Sequence, residues 1–319
     1  MKRALVVGIN AYRKQKHLSG CVNDAKNIEA LIARNADGTR NFDTKLVTSD
    51  THPEIYKKDL KKMVIELLEQ PADMAFFYFS GHGTATNLGG YLCTFEAEGY
   101  DEGFAMQELL AAIHDSPIKE VVVILDCCQS GALGEIPALG NNATTIREGV
   151  SILTASRENQ SAMELNGVGI FTSLVCDALY GSAADLRGTI TPAGVYAHVE
   201  QSFGAWDQRP LFKSFVSRST PLRNAGPRIG HDLLAKITEL FSKPDALHVL
   251  DKSYEQSERA ARPENVAKFK TLKKLQTVGL IQVNRGGDPD LYFACLESKS
   301  CQLTALGKFY WHLVRAKKI

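Results

Sequence analysis

The sequence predicts an α/β fold: a mostly parallel sheet flanked by helices, followed by a smaller α+β domain. Three observations carry that expectation. Apolar segments alternate with amphipathic ones through residues 1–222, and this β-α-β-α rhythm calls for parallel strands joined by crossover helices. Two segments, Met74–Ser80 (MAFFYFS) and Glu120–Asp126 (EVVVILD), are continuously apolar rather than alternating, as in strands buried on both faces. The charge also divides. From Arg223 onward 17 Lys and Arg stand against 10 Asp and Glu, whereas the residues before it hold 20 against 26. Opposite balances predict two domains with different partners, residues 1–222 and 228–319, joined by a linker at Arg223–Pro227 (RNAGP).

Taken in order, Arg3–Ile9 reads as the first strand and Asn23–Arg34 as a helix with an Asn/Asp start. Lys45–Ser49 is a short strand, and Pro53–Glu69 a helix opened by its proline. Met74–Ser80 runs into a turn through Gly81-His82-Gly83, and Gly90–Phe95 reads as an edge strand. Met106–His114 is helical, Glu120–Asp126 and Val150–Ala155 are strands, Phe171–Tyr180 and Pro192–Phe203 are helices, and Leu211–Val216 is a last strand. Beyond the linker, His231–Phe241 and Glu264–Val278 are helices. Leu280–Val283 and Leu291–Cys295 read as two strands around Arg285-Gly286-Gly287-Asp288, and Leu303–Gly307 opens a closing helix.

The chain has 319 residues, 44% apolar and 23% charged, with a net charge of +1, an ordinary globular composition. It lacks the run of about 18 apolar residues that a membrane span needs. The start, MKRALVVGIN, is basic, but its apolar run stops at Asn10, so it reads as a strand and not a signal peptide. Seven cysteines without a C-x-x-C pair argue against a disulfide scaffold or a metal clip. The expectation is a cytoplasmic chain with reduced thiols.

Sites in parallel sheets form at the carboxyl ends of strands, and both buried strands end in reactive residues. One ends in Ser80-Gly81-His82-Gly83, the other in Asp126-Cys127-Cys128, about 45 positions apart; parallel pairing would bring the two ends together. A cysteine nucleophile needs a base and donors for the oxyanion. Cys128 lies just past a strand end before a glycine turn, and His82 lies between two glycines whose N–H groups are available. These residues form a candidate Cys128–His82 dyad with the amides of Gly83 and Cys128 as oxyanion donors.

Asp126-x-Cys128-x-Ser130-Gly131 with Tyr78-Phe79-Ser80-Gly81-His82-Gly83 resembles the caspase-like cysteine peptidases, most closely the metacaspases and their bacterial relatives. Gly8-Ile9-Asn10-x-Tyr12, Gly20–Ala25, Leu153–Arg157 and Gly169-Ile170-Phe171-Thr172 agree with it, over about residues 1–218. The resemblance implies a cysteine endopeptidase and assigns Cys128 as the nucleophile, leaving Cys127 as a packed small hydrophobe. Gln129 stands where many metacaspases have His, a position that is not the base. The family holds a basic P1 side chain between two acids, which implies Asp24 and Asp126 here, with Ser80 a lesser member of the pocket. Two carboxylates facing one pocket suit Arg or Lys.

Calcium dependence, common among metacaspases, rests on an acidic cluster. Glu96, Glu98, Asp101 and Glu102 are the candidates, without a calcium motif around them, and read as surface acids; no cofactor is otherwise expected. Segment 131–149 lies where caspase relatives are often cut, and Arg147, its only basic residue, is the expected self-cleavage site.

The C-terminal segment resembles a winged helix-turn-helix. In such a domain Lys268, Lys270, Lys273, Lys274 and Arg285 would contact phosphates of DNA; the competing reading is a basic helix used for contact with a regulatory protein partner. The resulting expectation is an endopeptidase cutting protein substrates after Arg or Lys, regulated through residues 228–319, with a role in bacterial cell death or defence that the resemblance implies. The alternative is a DNA-binding or scaffold regulator with a catalytically silent caspase-like domain.

Overall fold

In the computed structural model the chain forms two compact units, residues 1–226 and 227–319. The structure describes residues 1–86, 89–99, 102–127, 146–155, 164–165, 168–203, 209–284 and 290–319. The first unit runs β1 (Lys2–Gly8), α1 (Cys21–Ala33), β2 (Phe42–Thr48), α2 (Lys57–Glu69), β3 (Met74–Ser80), β4 (Gly83–Thr86), β5 (Gly89–Leu92) and β6 (Phe104–Ala105). It continues with α3 (Met106–Asp115), β7 (Glu120–Asp126), β8 (Val150–Thr154), β9 (Glu164–Leu165), β10 (Val168–Gly169) and α4 (Ile170–Asp177). Then come β11 (Thr189–Ile190), α5 (Pro192–Gln201), β12 (Leu211–Phe215) and β13 (Arg223–Asn224).

Six strands form the central sheet in the order β12-β8-β7-β3-β1-β2. All pairings are parallel except that of β12 with β8. The continuous apolar runs have the predicted consequence: every residue of β3 is buried, and every residue of β7 except Glu120. Alternate side chains feed two cores. Phe77, Phe79, Val123, Leu125 and Cys127 pack with Leu60 and Val64 of α2 and Leu109 of α3. Phe76, Tyr78, Val122 and Ile124 pack with Ile28 of α1, Val175 of α4 and Val195 of α5. Each large side chain so buried contributes about 1.5–3 kcal/mol, which favours a sheet covered on both faces.

Three expectations for this unit are corrected. The helix α2 opens at Lys57, not Pro53: Tyr56 before it is extended, and the Ile55 carbonyl accepts the Phe95 N–H at 2.9 Å in place of a helical donor. Segment 89–92 belongs to a separate antiparallel sheet, β4-β5-β6, and not to an edge of the main one. The expected linker at 223–227 is largely structure: Arg223 and Asn224 pair with β11, and the Arg223 guanidinium donates to Arg34 O and Leu179 O at 2.9 and 2.8 Å.

The second unit holds α6 (His231–Ala235), α7 (Ile237–Leu240), β14 (Leu247–Val249), α8 (Pro263–Thr277), β15 (Ile281–Val283), α9 (Leu291–Leu296), β16 (Ser300–Leu303) and α10 (Ala305–Arg315). Its strands form an antiparallel sheet in the order β14-β16-β15. The helix expected over 231–241 is two short ones meeting at Lys236. The expected strand Leu291–Cys295 is the helix α9. Asp290 caps it by accepting the Tyr292 N–H at 2.8 Å, and Leu291, Ala294 and Cys295 bury one helical face. The partner of β15 is therefore β16, and the two-stranded wing read from the sequence is not present in that form.

Gly8 sets how closely α1 approaches the end of β1. A Cβ there would lie 2.3 Å from Cys21 O and 2.8 Å from the Ala25 Cβ. Gly8→Ala is expected to destabilise the chain by about 1–3 kcal/mol, the usual cost of overpacking. Urea unfolding of the full-length variant measures this, and an unchanged midpoint contradicts it.

Candidate active site

β3 and β7 are direct parallel neighbours, in a register that sets Ser80 opposite Asp126. The ladder extends one step further, with Gly81 N–H donating to Asp126 O at 3.3 Å. The ends of β3 and β7 therefore lie side by side at the carboxyl rim of the sheet.

Two carboxylates lie buried at this rim, Asp24 at 2% and Asp126 at 6% exposure. Asp24, in the first turn of α1, accepts from Ser80 Oγ and from the Gly169 N–H, both at 3.2 Å. Asp126 accepts from Thr172 Oγ1 at 2.6 Å. The Thr172 hydroxyl in turn lies 2.5 Å from the Tyr78 hydroxyl. Since Thr172 spends its proton on Asp126, Tyr78 is the donor to Thr172. Burial raises the Tyr78 phenol well above its ordinary value, and the charges of Asp126 and Asp24 add to this, so the donor stays protonated. The two acids converge on one point. A Cβ at Gly169 would lie 2.8 Å from Asp126 Oδ2 and 3.3 Å from Asp24 Oδ2. The sequence marks Gly169, Thr172 and Tyr78 only as members of matching motifs; no local spacing shows that they line up on the acids.

His82 follows β3 by two residues and is half-buried. Its Nε2 lies 2.7 Å from the Lys16 carbonyl oxygen. A carbonyl can only accept, so Nε2 carries the proton and Nδ1 is left as the basic nitrogen. The backbone N–H of His82 donates to the Tyr12 hydroxyl at 2.7 Å, and its carbonyl accepts from Cys93 N–H at 3.0 Å. That last bond fixes the phase of the β4–β5 ladder. Gly83, paired with Leu92, falls in a non-hydrogen-bonded position, so its N–H points away from β5.

The remaining predicted residues separate. Cys127 is 3% exposed and packs in the core. Cys128, the expected nucleophile, lies outside the described residues, as do Asp101 and Arg285. Arg147 gives its guanidinium to backbone carbonyls: Nε to Ile113 at 2.8 Å, Nη2 to Ile118 at 2.6 Å and Nη1 to Glu148 at 2.9 Å. Cleavage after Arg147 requires release of these bonds. Glu96 caps α2 by accepting the Lys57 N–H at 2.7 Å, while Glu98 faces Lys14 at 3.5 Å. Among the described residues no group of three or more His, Cys, Asp or Glu converges to hold a metal ion. Lys268, Lys270 and Lys274 are exposed on α8, but Lys273 is paired with Asp290 at 2.6 Å. No helix among the described residues is long and apolar enough to cross a membrane.

A six-stranded, mostly parallel sheet with helices on both faces resembles the caspase fold. The caspase-1 structure from Spodoptera frugiperda superposes with a TM-score of 0.51 at 14% identity, covering 70% of this chain and 90% of that one. A Geobacter sulfurreducens protein of known structure gives the same score and identity over 71% of this chain and 97% of that one. The caspase-domain family model matches residues 1–219, and the chain belongs to that family of peptidases. Among curated relatives, metacaspase-1A of Neurospora crassa is 29% identical over 168 residues, 46% of this chain and 36% of the relative. Metacaspase-1A of Aspergillus niger is 26% identical over 201 residues, 53% and 48% of the two chains. The chain spans less than half the length of these relatives.

The acids also leave a mark on a thiol behind them. Burial pushes Cys176 up to about 12, and Asp24 and Asp126 add to the shift. At pH 8 its thiolate fraction is then about a thousandth of an ordinary thiol's. Iodoacetamide at pH 8 is expected to leave Cys176 unmodified in the native chain and label it after denaturation, as read by peptide mass spectrometry. Replacing both acids by Asn should speed its labelling. Rapid native labelling of Cys176 in the unmutated chain contradicts the half-buried, negative environment.

Proposed function

We propose that this chain is a cysteine endopeptidase that cleaves protein substrates after Arg or Lys, with Cys128 as nucleophile and His82 as base. The observation that carries this reading is the buried acid pair converging beside Gly169, on the rim from which the His82 segment leaves the sheet. A guanidinium or ammonium entering there meets carboxylates from two elements. Arg adds the advantage of bidentate geometry. The hydrogen bonds from Ser80, Gly169 and Thr172 hold the carboxylates in place before substrate arrives, which lowers the ordering cost of binding.

In this mechanism Nδ1 of His82 takes the Cys128 thiol proton, and the bond from Nε2–H to the Lys16 carbonyl steadies the resulting imidazolium. The thiolate attacks the scissile carbonyl, and the outward N–H of Gly83 with the amide of Cys128 receives the developing oxyanion. The imidazolium protonates the leaving amine, and water then hydrolyses the thioester. The second unit regulates the peptidase through a protein contact, and a place in cell death or defence rests on the family resemblance alone.

Fluorogenic peptides with varied P1 residues test this directly. Turnover is expected for Arg and Lys at P1, falling by a factor on the order of a thousand or more in Cys128→Ala. Asp126→Ala should lose basic-P1 turnover while keeping its thermal unfolding transition. A wild type inactive on the whole library, with and without calcium, overturns the reading.

A further inference from the structure

The segment that follows β1 grips His82 at two points, through the Lys16 carbonyl on the ring and the Tyr12 hydroxyl on the backbone. The first is a backbone group that any residue at position 16 supplies. The second depends on one side chain. Tyr12 is 2% exposed, and its ring lies 4.7 Å from the His82 ring at an interplanar angle of 54°. The phenol presses close against the turn, since a Cβ on Gly81 would lie 2.5 Å from the Tyr12 hydroxyl oxygen.

His82 needs this support for a reason visible in the ladders. Its carbonyl is held by Cys93, but its N–H points out of the β4–β5 ladder toward Tyr12 and would otherwise lack a fixed acceptor. The flanking glycines leave this turn more rotational freedom than L residues would. Without an anchor on the N–H side the peptide at His82 can rotate, and the imidazole swings with it off the Lys16 carbonyl. The Tyr12 segment is itself anchored, with Arg13 N–H on Phe95 O and Leu18 N–H on Asn10 O, both at 2.9 Å. Asn10 Oδ1 accepts the Cys21 N–H at 2.9 Å, tying the same segment to the start of α1.

We infer that Tyr12 is a positioning residue for His82: its hydroxyl fixes the peptide that carries the imidazole, and its ring limits the imidazole's rotation. The inference rests on the reading of His82 as the base. It predicts that loss of the hydroxyl alone lowers the chemical step without weakening substrate binding, since Tyr12 contributes nothing to the acid pair.

The test compares the full-length wild type with Tyr12→Phe, which removes one oxygen and keeps the ring. For an Arg-P1 peptide kcat is expected to fall about 10- to 100-fold, in the range of a misplaced general base, with KM within twofold. Nitrogen-15 spectra of the imidazole, assigned with His82→Ala, should show Nε2–H in the wild type and a mixture of tautomers in the variant. In the wild type the His82 amide should exchange slowly with solvent, a measurement that does not depend on the variant folding. An unchanged kcat with unmoved His82 resonances overturns the inference, and so does a rapidly exchanging His82 amide. A wild type with no peptidase activity but with the protected amide and the tautomer shift defeats the peptidase reading and upholds the clamp.

Discussion

The parallel pairing of β3 with β7, in the register that sets Ser80 opposite Asp126, is the constraint on which the site depends. Side chains on a strand alternate faces, so a slip of one residue would send Asp126 to the side of α2 and α3 and Cys127 to the side of α1 and α4. The apolar residues on both faces forbid such a slip, because each would exchange one well-packed core for another of different shape. The chemistry at the rim is held in place by hydrophobic packing several residues away from it.

On that rim the acids are organised by a polar network that reaches into the core. Tyr78 donates to Thr172 and Thr172 to Asp126, while Asp24 draws on Ser80 and Gly169. Burying a carboxylate costs several kcal/mol unless it is well paired, and a hydrogen bond to a charged group returns about 1.5–3. The pair is a costly stabilising device, and that cost is the ground on which a cation pocket is proposed here. The glycine at 169 belongs to the same logic, since any side chain there would press on Asp126.

Elements far apart in sequence are joined here by single contacts. Segment 9–20 reaches His82 through Tyr12 and Lys16, and β10 and α4 reach the acids through Gly169 and Thr172. Histidine orientation and acid placement thus depend on different parts of the chain. His82 and the acid pair can therefore be perturbed separately, the one through Tyr12 and the other through Thr172.

The sequence by itself determined the buried strands, their reactive ends and the α/β class, because continuous apolar runs and glycine turns are local signals. It also singled out His82, Asp24 and Asp126, through the motif resemblance. Where neighbouring parts of the chain compete, local signals misled. Pro53 looks like a helix start until Phe95 takes the Ile55 carbonyl, and Leu291–Cys295 looks like a strand until Asp290 caps it. A linker composition at 223–227 hides a strand of the first unit, whose arginine bonds to the backbone at Arg34 and Leu179. Only the tertiary structure decided that Ser80 faces Asp24, that Thr172 relays to Asp126, and that Tyr12 lies under the histidine. Those contacts span 46 to 94 positions along the chain; they exist because strand register and helix packing bring the residues together, and no periodicity in the sequence records that.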